Sequence, residues 1–132
     1  MPQLNSIVLK DAAATPADHT FKPRGIDGGV ATLVESSGVP IGESRISFAQ
    51  NRNGNGRIRA TVKLSVPVVQ DATVNGVIRP TVVRTGYVDI TYNFDASSST
   101  RERADLVKYV NGLMAGTQTM VQGYLVDLEG LF

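Results

Sequence analysis

The chain has no cysteine, no tryptophan and a single histidine. Without a thiol there can be no disulfide, no thiolate nucleophile and no thiolate metal site. His19 has no second imidazole or thiolate with which to form a catalytic or transition-metal constellation. It follows Asp18 in a polar turn or early strand and reads as a solvated residue. Long apolar runs are missing too, and nothing approaches the roughly 18 uncharged apolar residues of a membrane-spanning helix. The start, MPQLNSIVLKD, lacks a basic segment followed by an apolar run and a small-residue cleavage site. No secretory leader is expected, and the chain is expected to be made and kept in a cytoplasm. Glycines are common, but GIDGG and NGNG have no strand, phosphate loop and helix around them, and no GxxxxGKS or GxxxxGKT occurs. Asp89, Asp95, Glu102 and Asp105 could offer oxygen ligands to a hard cation, yet nothing resembles a dense calcium loop. These absences together leave no candidate catalytic site, and an enzyme is not expected.

What remains is an ordinary folding composition. At 132 residues the chain suits one domain, and 42% hydrophobic with 19% charged residues is enough to form a packed core. The net charge of +1 conceals a local imbalance, because Arg45, Arg52, Arg57, Arg59 and Lys63 lie between Ser44 and Gln70 with no acidic residue among them.

Strand signals fill the first two thirds: NSIVLK, HTFKPR, GVATLVES, ESRISFAQN, GRIRATVKLSVPVV and VVRTGYVDITYNF. The turn clusters ATPAD, GIDGG, SSGVP and NRNGNG separate them, which predicts a meander of antiparallel strands. NRNGNG is the clearest hairpin turn, since Asn and Gly tolerate positive φ. After Asp95 the period changes. Ser99 with Glu102 three residues on forms a capping box, and Leu106, Val107, Val110, Leu113 and Met114 then follow along one helical stripe. A shorter stripe follows Thr117, with Met120, Val121, Tyr124, Leu125 and Leu128. The predicted class is α+β: a sheet, then two C-terminal helices. Two short helices with narrow stripes are poorly matched to the apolar face of a sheet of about five strands. Obligate dimerisation would resolve that shortage.

The stretch from Arg57 alternates. Arg57, Arg59, Thr61, Lys63 and Ser65 fall on one side of an extended chain, and Ile58, Ala60, Val62, Leu64 and Val66 on the other. Alternation alone fits the solvated face of any antiparallel sheet. Three features point beyond that reading. One hairpin brings Arg45, Arg57, Arg59 and Lys63 into a single patch. Ser47, Asn51 and Thr61 interleave as short hydrogen-bonding groups. GYVDITYNF places Tyr87 and Asp89 in the same phase. Cations for phosphates, hydroxyls and amides for base edges and an aromatic for stacking are the chemistry of single-stranded or hairpin RNA recognition.

Residues 66 to 80, VPVVQDATVNGVIRP, resist a bland reading as well. Local rules predict a β-hairpin at Asn75 and Gly76, yet Val74, Val77 and Ile78 surround that turn with no evident core to enter. An exposed apolar tip implies contact with another molecule.

The order VPVVQDATVNGVIRPTVVRTGYVDITYNF, after strands over ESRISFAQ and RIRATVKL and before two helices, resembles the coat proteins of the single-stranded RNA bacteriophages, the leviviruses. NSIVLKDAAATPADHTF and SSGVPIGES look closest to a Pseudomonas-type phage coat. The resemblance implies an N-terminal β-hairpin over residues 1–27, a five-stranded antiparallel sheet over 28–95 and a helical part over 97–132, all in one coat domain. It further implies an interlocked homodimer with a ten-stranded sheet, each copy's helices lying over its partner's sheet, and dimers assembling into a T=3 icosahedral capsid in the bacterial host cytoplasm. The polar sheet face would line the shell interior, package single-stranded genomic RNA and bind an RNA hairpin to repress replicase translation. By the same resemblance Ser47, Arg59, Thr61 and Lys63 match RNA-contacting positions and Tyr87 the stacking aromatic, with Asp89 close by. Arg45 stands where relatives carry a short hydroxyl, and Ala49 where some carry a cation. Gln70, Asp71, Ala72, Thr73, Val74, Asn75, Gly76, Val77, Ile78, Arg79 and Pro80 match a loop that contacts neighbouring subunits, with Pro80 setting its exit. No cofactor, membrane or small-molecule substrate is implied, although the fold leaves room for a structural calcium ion at subunit contacts.

Two other readings compete. A dimeric RNA-binding regulator that never forms a shell shares the basic face but has no use for the apolar tip. A carbohydrate-binding β module fits less well, because there is no tryptophan and aromatics make up only 6% of the chain.

Overall fold

The computed structural model describes residues 3–35 and 40–131, with only the backbone described at Pro40 and Val74. The SSGVP turn expected at residues 36–40 therefore lies, up to Val39, outside the described residues. Six strands are formed: β1 (Ile7–Lys10), β2 (Asp18–Asp27), β3 (Val30–Glu35), β4 (Ser44–Arg52), β5 (Ile58–Val74) and β6 (Val77–Phe94). Helices α1 (Thr100–Leu113) and α2 (Thr119–Val126) follow. The α+β order is the one the sequence predicts. The strand count differs, because residues 28–95 hold four strands rather than five. β1 and β2 join them in a single order, β1-β2-β3-β4-β5-β6. The physical reason is that β2 is ten residues long and pairs with β1 through its first half and with β3 through its second. A register shift between Pro23 and Gly25 leaves Arg24 as the extra residue of a bulge.

The segment from Gln70 to Pro80 is not a loop. β5 runs on to Val74 and β6 starts at Val77, so only Asn75 and Gly76 turn the chain, with φ of 52° and 77°. Two successive positive φ values match the twist of a two-residue β-hairpin, and Asn-Gly adopts them at little cost. Pro80 consequently lies within β6 and does not mark a loop exit. β6 closes the sheet order, and an edge strand is where a missing N–H is tolerated.

The core follows from alternation and register. Leu33 stands opposite Ile46, Ile46 opposite Leu64 and Phe48 opposite Val62, so these side chains share one face. Phe21, Leu33 and Ile46 are its buried centre, with Leu4, Ile7, Phe48, Val62 and Leu64 packed around them. Leu33 is fully enclosed, at 0% exposure. Most other large apolar side chains on both strands and helices remain open to solvent, among them Leu106, Leu113, Met120 and Tyr124.

His19 is not a solvated loop residue. It lies on β2 opposite Leu9, where Nε2 is 2.8 Å from Asp11 Oδ2 and Nδ1 is 2.9 Å from Glu35 Oε2. The ring thus ties the β1–β2 turn to the end of β3. Asp11 also accepts from the backbone N–H groups of Ala13 and Ala17, closing the AAATPAD turn. Bonding to Asp11 and then Glu35 raises the His19 pKa above 6.5, while the His19 bond and the two backbone donors bring Asp11 from 3.8 to about 2.

The contacts divide the chain into two compact units that meet between Asn93 and Phe94. In the second, Ser99 caps α1 by accepting the Glu102 N–H at 3.2 Å, as the sequence predicts. Arg101 and Asp105 pair at 3.1 Å one turn apart. The stripe expected to reach Leu128 stops short of it: α2 ends at Val126, and Leu128 takes φ 58°. The Glu129 N–H then returns to the Gly123 carbonyl at 3.2 Å, a closure that needs a left-handed residue before it.

Two outcomes test this description. Leu33→Ala should lower unfolding free energy by about 2–5 kcal/mol in denaturant titration. A histidine with a raised folded pKa stabilises fully below its unfolded value, 6.5, and loses that contribution as pH rises through the folded value. Asp11 works in the opposite sense, its contribution fading as pH falls from 3.8 towards 2. Amide exchange at Val8, Leu9 and Lys10 should therefore accelerate above pH 6.5 beyond the intrinsic rate, and His19→Ala should abolish that extra acceleration.

Candidate nucleic-acid interface

The basic face depends on how the β4–β5 turn is tied. Asn53 Oδ1 accepts the backbone N–H groups of Asn55 at 3.0 Å and Arg57 at 2.9 Å. Asn53 N–H donates to the Arg57 carbonyl and Gly56 N–H to the Asn53 carbonyl, both at 3.0 Å. Gly56 has φ 78°, a conformation costly for a residue with a Cβ. These bonds fix the register: Arg45 opposite Ser65, Ser47 opposite Lys63, Ala49 opposite Thr61 and Asn51 opposite Arg59. Directly opposed residues point the same way, so the predicted residues of these two strands share one face.

β6 is placed on that face by one bond. Arg59 Nε donates to Asn93 Oδ1 at 3.4 Å, and Tyr87, Asp89 and Thr91 alternate in phase with Asn93. Tyr87 is 75% exposed, so its ring is open to a stacking partner. Arg57 precedes β5 and belongs to the turn rather than to the strand. It still joins Arg59, because Asn51, Arg52, Asn53, Arg57, Arg59 and Asn93 line one polar cleft of about 630 Å³ at this end of the sheet.

At the other end of the row Arg45 is paired. Its Nη2 lies 3.5 Å from Glu43 Oε2, and Glu43 Oε1 takes a shorter bond from Arg24 Nη2 at 3.1 Å. The Arg24 hydrogen bond, reinforced by the charges of Arg24 and Arg45, holds the Glu43 carboxyl below its usual value. Sequence reasoning missed Glu43, although two-residue spacing already sets it in phase with Arg45. It also missed Thr32, which register places opposite Ser47, and Asn93. Two-residue alternation from Tyr87 and Asp89 reaches Asn93, whereas nothing local announces Thr32. Among the described residues no group of three or more His, Cys, Asp or Glu side chains is suited to hold a metal ion. At the tip of the β5–β6 hairpin, Val77 and Ile78 are both exposed, Ile78 at 67%.

This arrangement, a register-locked polar sheet face with an apolar hairpin tip and two following helices, defines a class when compared with known proteins. The levivirus coat protein family model matches residues 2–132. The chain is 47% identical to the capsid protein of Pseudomonas phage PRR1 over 130 residues, 98% of this chain and 99% of that one. It is 30% identical to the capsid protein of Qbeta virus strain MX1 across 87% of this chain and 89% of the relative. Among solved structures, the virus-like particle of bacteriophage ESE058 superposes with a TM-score of 0.86 at 26% identity, covering 99% of this chain and all of the other (100%). The chain belongs to the levivirus coat protein family. It is a capsid protein of the virion, not an enzyme.

Because Asn53 satisfies two backbone donors with one oxygen, Asn53→Ala should lower stability by about 1 kcal/mol, read from thermal or denaturant unfolding. Asn53→Asp should retain most of it.

Proposed function

We propose that two copies of this chain form a homodimer, that dimers assemble into a T=3 icosahedral shell, and that the polar sheet face binds the packaged RNA. The same face would bind an RNA hairpin and repress replicase translation. The observation that carries this reading is the shared face of Arg59, Thr61, Lys63 and Ser47, with the open ring of Tyr87 on the neighbouring long strand. Phosphates meet cations, base edges meet hydroxyls, and a base can stack on the ring.

Dimerisation is supported by the distribution of apolar surface. α1 and α2 have no buried residue, and the sheet presents a further apolar groove lined by Leu4, Ile7, Phe48, Ala60 and Val62. A second copy laying its helices over such a groove, joined along edge strand β6, would remove both surfaces from water. The exposed Val77 and Ile78 favour assembly over a regulator that stays dimeric, because only a shell gives that tip a partner. A structural calcium ion between subunits belongs to the same reading, with ligands contributed by more than one copy.

Size-exclusion chromatography with 260/280 nm absorbance and negative-stain microscopy is the direct test. Uniform particles carrying nucleic acid are expected, whereas a dimer that stays small with added RNA would favour the regulator. Val77→Ser with Ile78→Ser should yield folded dimers that fail to form regular particles. In anisotropy titrations with RNA, Lys63→Ala should reduce the slope of log K against log salt by roughly 0.7. Tyr87→Ala should weaken binding by about 1–3 kcal/mol with the salt slope retained.

A further inference from the structure

Glu43 is the acidic residue paired at the basic face, and its surroundings are specific. It sits after the short 3-10 turn Pro40–Gly42 and immediately before β4, with its side chain only 10% exposed. One oxygen is held by Arg24, the bulge residue of β2, at 3.1 Å. The other lies 3.5 Å from Arg45 Nη2, while the Arg45 side chain is 53% exposed. Arg45 shares its face with Ser47 and Lys63 through the β4–β5 register. The carboxylate is thus held by Arg24, and the Arg45 guanidinium lies within ion-pair reach of its other oxygen.

A guanidinium has five N–H donors in a planar fork, and Glu43 engages one edge of it. The remaining donors stay available, biased in direction and partly offset in charge by the neighbouring carboxylate. A phosphate approaching Arg45 meets Glu43 as a second anion and must work against it. A neutral acceptor edge, such as N7 and O6 of a purine, meets the same donors without that repulsion. We propose that Glu43 is a positioning residue that converts Arg45 from a phosphate contact into a reader of acceptor edges on RNA bases. The inference rests on the RNA reading of the face, and it assigns Arg45 and Lys63 different tasks: Lys63 neutralises backbone, Arg45 discriminates.

The test uses the full chain as unassembled protein, with fluorescein-labelled 20-nucleotide oligo(U) and oligo(G), the latter kept unstructured in lithium buffer. Anisotropy is followed over a series of salt concentrations. Removing the Glu43 charge frees a cation for phosphate, so Glu43→Gln should steepen the oligo(U) salt slope by roughly 0.7 and narrow the oligo(G) preference several-fold. Glu43→Asp, which keeps the charge, should remain near wild type on both readouts. In an Arg45→Gln background, adding Glu43→Gln should no longer steepen the slope, which separates an effect through Arg45 from one through Arg24. A salt-dependent wild type whose slope and base preference are unchanged by Glu43→Gln would overturn the inference and leave the RNA reading standing. Salt-independent or absent binding by the wild type would overturn both. Circular dichroism melts of each variant exclude unfolding as the source of any change.

Discussion

The pairing register between β4 and β5 is the constraint on which the rest of this coat protein depends. Side chains along a strand alternate, so a slip of one residue would send Lys63, Thr61 and Arg59 to the core side and Leu64, Val62 and Ile58 to the polar side. Asn53 prevents it by holding Asn55 and Arg57 from a single oxygen. The turn, which itself carries Arg57, decides which face the cations occupy. From that choice follow the buried cluster around Leu33 on one side and the row of cations and hydroxyls on the other.

Charge is organised by the same sheet. The acidic residues whose ion pairs bear on it are drawn to its first strands: Asp11 and Glu35 hold His19, and Glu43 holds Arg24 and Arg45. The Glu43 pairs sit at the Arg45 end of the cationic stretch, while Arg59 on β5 meets the neutral amide of Asn93. Their consequence lies in partition, because Glu43 lies against Arg45 and not against Lys63 or Arg59.

The apolar surface left open in a single chain links fold to assembly. Among the described residues Phe21, Leu33 and Ile46 form the buried centre, a small core for a sheet of six strands. A capsid protein whose surface must be completed by copies of itself has its stability tied to subunit concentration. Val77 and Ile78 add a further exposed apolar patch at the tip of the β5–β6 hairpin.

Periodicity made much of this legible. Alternation from Arg57 onward placed the basic and apolar faces, Asn-Gly placed both hairpin turns, and Ser99 with Glu102 placed the start of α1, because each is governed by residues within a few positions of one another. Local rules predict the hairpin at Asn75 and Gly76, and only the family resemblance implies a loop from Gln70 to Pro80; the length of β5 and β6 is set by their pairing across the sheet. His19 was misjudged for a related reason, since Glu35 reaches it only once β2 and β3 are paired. Thr32 joined the face through Ser47, 15 positions away, a distance over which no local pattern operates. The sequence by itself determined which side of each strand is greasy and which is basic, and the family to which the pattern belongs. Only the tertiary structure decided which strands stand together and which carboxylate restrains which arginine, because cross-strand register and ion pairing are settled by contacts that no window along the chain contains.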